Sequence, residues 1–158
     1  MNAIARSVAA FLIAAAACAV QAQTPSPLVA AQAWARASVQ GQSGTGAFMT
    51  LTASEPLTVT RVTSPVAGVA EVHEMKLEGD VMRMRAMPSL PLPAGRAVEL
   101  KPGGHHLMLM ELKMPLQPGT QVPVTLHYTD AKGKPGQLEL SVPVAVRAPA
   151  GVAPAHKH

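Results

Sequence analysis

The chain contains a single cysteine, Cys18, and this residue lies in an N-terminal segment that we expect to be removed. Arg6 precedes an apolar run at residues 8–20, which is short for a membrane span and typical of a signal peptide. Val20-Gln21-Ala22 is similar to a signal-peptidase site, so residues 1–22 are predicted to be cleaved and the mature chain to be periplasmic, without stable membrane insertion. The mature chain would then hold no thiol, which excludes disulfides, thiolate metal sites and cysteine catalysis.

In two alternatives, all or part of the N-terminal segment would be retained in the mature protein. The segment could remain as an N-terminal anchor, or Cys18 could be the acylated residue of a lipoprotein. Three positions before Cys18 stands Ala15, where such sites usually carry a larger aliphatic side chain. We therefore expect cleavage after Ala22.

Aromatic residues and net charge are also scarce. Two Phe, one Trp and one Tyr offer no platform for stacking nucleic-acid bases. Without Arg6, 12 Lys and Arg stand against 9 Asp and Glu, and the excess is spread along the chain, so no nucleic-acid partner is predicted. No Ser/His/Asp order, carboxylate pair or phosphate loop stands out, and Glu71 and Glu74 are interpreted as solvent-facing or flanking residues. We expect no enzymatic activity.

Helical periodicity is missing as well. Short runs rich in Val, Thr, Leu and Met are separated by Pro and Gly, which predicts an antiparallel β-sandwich or barrel over residues 23–146. The segment Glu78-Gly79-Asp80 should form a hairpin. Residues 147–158 are rich in Pro and Ala and are expected to form a flexible tail. The predicted strands are 34–37, 47–53, 58–64, 69–77, 81–85, 97–101, 106–112, 122–128 and 137–146.

Methionine, by contrast, is abundant and clustered. Of nine Met, seven lie between Met75 and Met114. Met commonly fills gaps in cores, so packing is the simplest explanation of the cluster. However, side chains two residues apart on a strand share a face. This rule groups several of the methionines, together with two histidines, into sets that point the same way. The sets that share a face are His73 with Met75, Met82 with Met84, and His106 with Met108 and Met110.

Four of these residues follow a defined spacing: His73, ten residues, Met84, twenty-one residues, His106, one residue, Met108. Two imidazoles and two thioethers form a soft, uncharged ligand set, which favours Cu(I) over zinc or Cu(II). The turn at Gly79 would bring the strand of Met84 back beside the strand of His73. A lone strand histidine is usually a half-buried polar residue, whereas two histidines with several methionines on neighbouring strands favour a metal site.

The residues around this spacing resemble the periplasmic copper chaperone family called PCu(A)C. The resemblance covers residues 33–146, and the family spacing H-x10-M-x21-H-x-M matches without a gap. The segments that carry it are Ser64-Pro65-Val66-Ala67-Gly68, His73-Glu74-Met75, Val81-Met82-Arg83-Met84-Arg85, Pro93-Ala94-Gly95 and Leu100-Lys101-Pro102-Gly103-Gly104-His105-His106-Leu107-Met108-Leu109-Met110.

The resemblance implies a cupredoxin-like Greek-key β-sandwich that binds one Cu(I) at His73, Met84, His106 and Met108. It also implies delivery of the ion to the dinuclear copper site of cytochrome c oxidase subunit II, usually with a Sco-type thioredoxin-fold protein. Many family members have an aromatic residue at the position of His105, which by alternation faces away from the ligands. Met75 and Met110 are expected to surround the site rather than to bind the ion.

Other interpretations stay open. A periplasmic copper buffer or resistance protein would use the same site without an acceptor, and a metal-free structural β-sandwich would use the methionines as core. His156 and His158 could bind Cu(II) on the tail or simply belong to a solvated terminus.

Overall fold

The computed structural model describes residues 25–151, and its regular elements are all strands, which confirms the predicted all-β fold. No helix in this range is long and apolar enough to cross a membrane. Residues 1–22, His156 and His158 lie outside the described range. The strands are β1 Leu28–Arg36, β2 Gly44–Ala53, β3 Leu57–Thr63, β4 Ala67–Glu78, β5 Val81–Ala86, β6 Leu90–Leu92, β7 Ala97–Leu100, β8 His106–Leu112, β9 Gln121–Asp130 and β10 Pro135–Ala145.

The strands form one open sheet in the order β5-β4-β8-β2-β1-β10-β9-β3-β6, with β7 also paired to β2. Strand β10 connects two halves of the sheet, β5-β4-β8-β2-β1 on one side and β9-β3-β6 on the other, because it changes partners along its length. Residues 135–143 pair antiparallel with β9, and Val144 and Ala145 pair parallel with β1. Both halves bury apolar side chains in one shared cluster, so the sheet encloses its core as a sandwich does.

Alternation along β8 separates the core from the opposite face. Leu107 and Leu109 are fully buried in the core, together with Val124 and Leu126 of β9. Because neighbouring side chains on a strand point to opposite faces, His106 and the methionines of β8 lie on the outer face.

The methionines divide in the same way. Met49 is buried within the core cluster and Met87 packs against it. Met84 is 51% exposed and Met82 is 50% exposed. Core packing therefore explains Met49 but not the exposed pair on β5.

Two strands differ from the sequence-based expectation. Strand β1 begins at Leu28, well before residue 34, and its pairing with β2 is irregular between Ala31 and Trp34, where Gln32 has a φ of 54°. This bulge interrupts the alternation by which strands are recognised. Strand β6 was not predicted because Leu90-Pro91-Leu92 is short and contains proline, which is tolerated at the edge position that β6 occupies.

The core makes a direct prediction about stability. Leu126→Ala removes a fully buried side chain and should lower the free energy of unfolding by about 2–5 kcal/mol. Leu77→Ala, at a position that is 62% exposed, is the control and should change it by less than about 0.5 kcal/mol. Urea unfolding measures both variants, and equal effects would contradict the assignment of the core.

Candidate metal centre

The register between β4 and β8 brings the two predicted histidines together. His73 lies directly opposite His106, and Glu71 lies opposite Met108. Directly opposed residues in an antiparallel pair point to the same face. These four side chains therefore share the outer face, and the rings of the two histidines have centroids 6.0 Å apart.

The β4–β5 hairpin adds the third predicted ligand from the other side. The turn at Gly79, with a φ of 64°, returns the chain so that Met84 lies opposite Met75. The hairpin expected at Gly79 is therefore present, and Met84 lies on the same outer face as His73. Its sulfur atom reaches across the face to 3.2 Å from Nε2 of His106.

Hydrogen bonding determines which nitrogen of His106 is free. Nδ1 lies 3.0 Å from the carbonyl oxygen of Gly104. A carbonyl only accepts, so Nδ1 carries the proton and donates it, and in the neutral ring Nε2 keeps its lone pair. The atom that faces the Met84 sulfur is thus a donor of electrons, as a metal ligand must be.

His73 is arranged the other way round. Its Nε2 lies 3.0 Å from a carboxylate oxygen of Glu71, which only accepts, so Nε2 carries the proton. Its Nδ1 is buried and has no hydrogen-bond partner within residues 25–151. Leaving a buried polar atom unpaired costs about 1–3 kcal/mol. An ion bound at Nδ1 would remove that cost.

The separation between His106 and Met84 suits an ion shared by these two side chains. Ligand distances of about 2.0 Å for nitrogen and 2.3 Å for sulfur in a tetrahedral site separate the two ligand atoms by about 3.5 Å. The separation of 3.2 Å between Nε2 of His106 and the sulfur of Met84 is close to this value. Both atoms present lone pairs in the neutral state, so a cation between them would convert an unfavourable contact into a favourable one.

Met108 shares the face, but its side chain extends along β2. A Cβ built on Gly44 would lie 3.6 Å from the terminal methyl carbon of Met108. Gly44 pairs with Met110 and Gly46 with Met108, so this methyl group points away from His106.

Aromatic rings close the site on the β2 side. Phe48 lies 6.4 Å from His106 between ring centroids and 4.8 Å from Trp34. Arg36 lies over the Phe48 ring at 5.6 Å. The two histidines are buried, at 8% and 7% exposure, so the ring nitrogens lie in largely dry surroundings.

Carboxylates and thiols do not form an alternative site in this part of the chain. Among residues 25–151 no three His, Cys, Asp or Glu side chains are grouped closely enough to hold a metal ion. The thioethers are the further candidate ligands on the outer face.

The remaining residues singled out from the sequence are placed as follows. His105 precedes β8, and its carbonyl accepts the N–H of Lys101 at 2.7 Å, which closes the turn before His106. Met75 and Met110 lie half-buried on the outer face. Glu71, interpreted from the sequence as solvent-facing or flanking, has a side chain that is 43% exposed and also contacts His73. Its spacing of two residues from His73 on one strand was the feature that could have revealed this contact.

Comparison with known proteins identifies the family. A model of LpqE-like lipoproteins matches residues 28–144. The chain belongs to the LpqE-like family. A relative from Leifsonia xyli subsp. xyli (strain CTCB07), named as the lipoprotein Lxx21020, is 34% identical over 149 residues, with 89% of this chain and 87% of the relative covered.

Solved structures with this fold include DR1885 and a domain named as PCuAC. The solution structure of CuI-DR1885 from Deinococcus radiodurans is 28% identical with a TM-score of 0.55, covering 80% of this chain and 82% of that chain. Its apo form is 26% identical with a TM-score of 0.55, covering 92% and 97%. The apo PCuAC domain from PmoF1 shares the fold at 19% identity, with a TM-score of 0.62 and coverage of 77% and 96%.

The hydrogen bond to Gly104 predicts the tautomer of His106. In the metal-free protein with neutral rings, His106 should carry its proton on Nδ1, since the Gly104 carbonyl accepts it at 3.0 Å. Long-range ¹H–¹⁵N NMR correlations of the imidazole distinguish the two tautomers. A proton on Nε2 of His106 would show that this nitrogen is not free to bind a metal.

Proposed function

We propose that this LpqE-like protein is a non-enzymatic carrier of Cu(I). One ion binds Nδ1 of His73, Nε2 of His106 and the sulfur atoms of Met84 and Met108. The observation that carries the proposal is the buried, unpartnered Nδ1 of His73, beside a second histidine whose Nε2 lies 3.2 Å from the Met84 sulfur.

The donor set favours the cuprous ion. Cu(I) accepts soft thioether sulfur, whereas Mg²⁺ and Ca²⁺ prefer oxygen and structural zinc sites are built from Cys and His. Thioethers bind without losing a proton, so only the two imidazoles must be neutral. The solved structure of CuI-DR1885, which is 28% identical to this chain, supports the choice of cargo.

Delivery is the second part of the proposal. The acceptor we propose is the dinuclear copper site of cytochrome c oxidase subunit II, with a Sco-type thioredoxin-fold protein as collaborator. Met84 supports a donor role because it lies on the edge strand β5 and is 51% exposed, while the histidines are buried. An incoming thiolate could replace this exposed thioether first.

Export from the cytoplasm is proposed from the family to which the chain belongs. Relatives are named as lipoproteins, and this agrees with a chain that leaves the cytoplasm. The lipoprotein names also favour lipid attachment at Cys18 over cleavage after Ala22. In both cases the domain that follows acts outside the cytoplasm, in the periplasm. The tail histidines, His156 and His158, remain a proposed additional site for Cu(II).

Anaerobic titration with Cu(I) in the presence of a competing chelator tests binding. The wild type should bind one ion, and His106→Ala or Met108→Ala should weaken binding by more than about 100-fold, beyond the cost typical of outer-shell changes. X-ray absorption should count two sulfur and two nitrogen neighbours. Met114→Ala, at a position that is 62% exposed and outside the site, is the matched control. Unchanged affinity in both site variants would rule out this ligand set.

Transfer separates a chaperone from a buffer. Mixing the Cu(I)-loaded protein with the metal-free copper domain of subunit II should move the ion to the acceptor, because thiolates there bind Cu(I) more tightly than thioethers. Met84→Ala should change the transfer rate, since it removes the exposed ligand. Retention of the ion beside a competent acceptor would support a copper buffer or resistance protein instead.

A further inference from the structure

We propose that Glu71 is a positioning residue that fixes the tautomer and orientation of His73, so that Nδ1 is the nitrogen offered to copper. This inference rests on the proposed function for the identity of the ion. The arrangement of the ring in the metal-free protein can be tested without copper.

The contact is local and direct. Glu71 and His73 are two residues apart on β4, and one carboxylate oxygen of Glu71 lies 3.0 Å from Nε2 of His73. Residues two apart on a strand share a face, so the strand itself brings the two side chains together. The Glu71 side chain is 43% exposed and that of His73 is 11% exposed. The carboxylate therefore stays partly hydrated while the ring is buried.

The alternative tautomer is disfavoured at Nε2. With the proton on Nδ1, the lone pair of Nε2 would face the Glu71 carboxylate, and two acceptors would repel. Nδ1 has no partner among the described residues in either tautomer, so the contact at Nε2 decides between the two forms. With the proton on Nε2, the ring donates to Glu71 and Nδ1 keeps its lone pair for an ion.

Glu71 also changes the charge of the loaded site. A carboxylate that accepts from a metal-bound imidazole makes the ring a stronger base and holds its orientation. The ligand set itself is uncharged, so Glu71 supplies one negative charge near Cu⁺. Glu71 lies two residues from His73 on β4 and opposite Met108 in the register, so this charge lies beside a proposed ligand of each strand.

Glu74 provides a matched control. It lies one residue beyond His73, on the opposite face of β4, and it accepts a hydrogen bond from Arg85 at 3.1 Å. Replacing it removes the same charge from the same strand without touching the His73 ring.

The experiment uses NMR of the metal-free ¹⁵N-labelled protein, with neutral rings, to determine which imidazole nitrogen of His73 carries the proton. The proteins compared are the wild type, Glu71→Ala, Glu71→Gln and Glu74→Ala. Wild type and Glu74→Ala should show His73 protonated on Nε2. Glu71→Ala should shift His73 towards the Nδ1–H form and weaken Cu(I) binding about 10- to 100-fold. Glu71→Gln keeps the shape and one acceptor oxygen, so it should lie between wild type and Glu71→Ala in both measurements.

The results separate two failures. If His73 keeps its Nε2 proton in Glu71→Ala, or carries it on Nδ1 in the wild type, the role of Glu71 is wrong whatever the protein binds. A wild type that binds no Cu(I) but shows the expected tautomers would instead remove the proposed function and leave the positioning of His73 standing.

Discussion

The register between β4 and β8 is the constraint on which the site depends. It places His73 opposite His106, and a slip by one residue would move one of the two rings to the other face. The residues that prevent the slip lie on the inner side of the same strands, where Val72 pairs with Leu107 and both are buried in the core. The apolar core therefore positions the two rings, although it contacts them only through the backbone of their strands.

Each histidine is fixed by a partner on the side away from its free nitrogen. The partner of His106 is the carbonyl of Gly104, which the turn before β8 supplies, and the partner of His73 is the Glu71 carboxylate on the same strand. Both contacts are local in sequence, so they form as soon as the strand or turn forms. The long-range register then has only to bring two prepared rings together, which reduces the entropy lost when an ion binds.

The sequence was sufficient for the strands that carry the site and insufficient for the finer geometry. Alternation predicted which side chains share a face within each strand, and the Gly79 turn predicted that Met84 returns beside His73, because these features follow from backbone periodicity. The alignment of the β8 residues with His73 comes from the long-range register between β4 and β8. The direction of the Met108 side chain depends on the space above Gly44, and such space depends on a strand that is distant in sequence. The start of β1 was missed for a related reason, since the bulge at Gln32 is a property of its pairing with β2.

The unequal exposure of the proposed ligands bears on how the proposed carrier can be both tight and able to release its ion. A site buried on every side would exclude water and competing ligands, but a partner could reach the ion only after the domain opened. Here the histidines are buried at 8% and 7%, while Met84 is 51% exposed on an edge strand. In the proposed function, a partner ligand would therefore approach from the Met84 side and replace one weak thioether at a time, while the two imidazoles hold the ion. The sandwich need not unfold for the exchange, because the ligand that must leave is the one that the core does not hold.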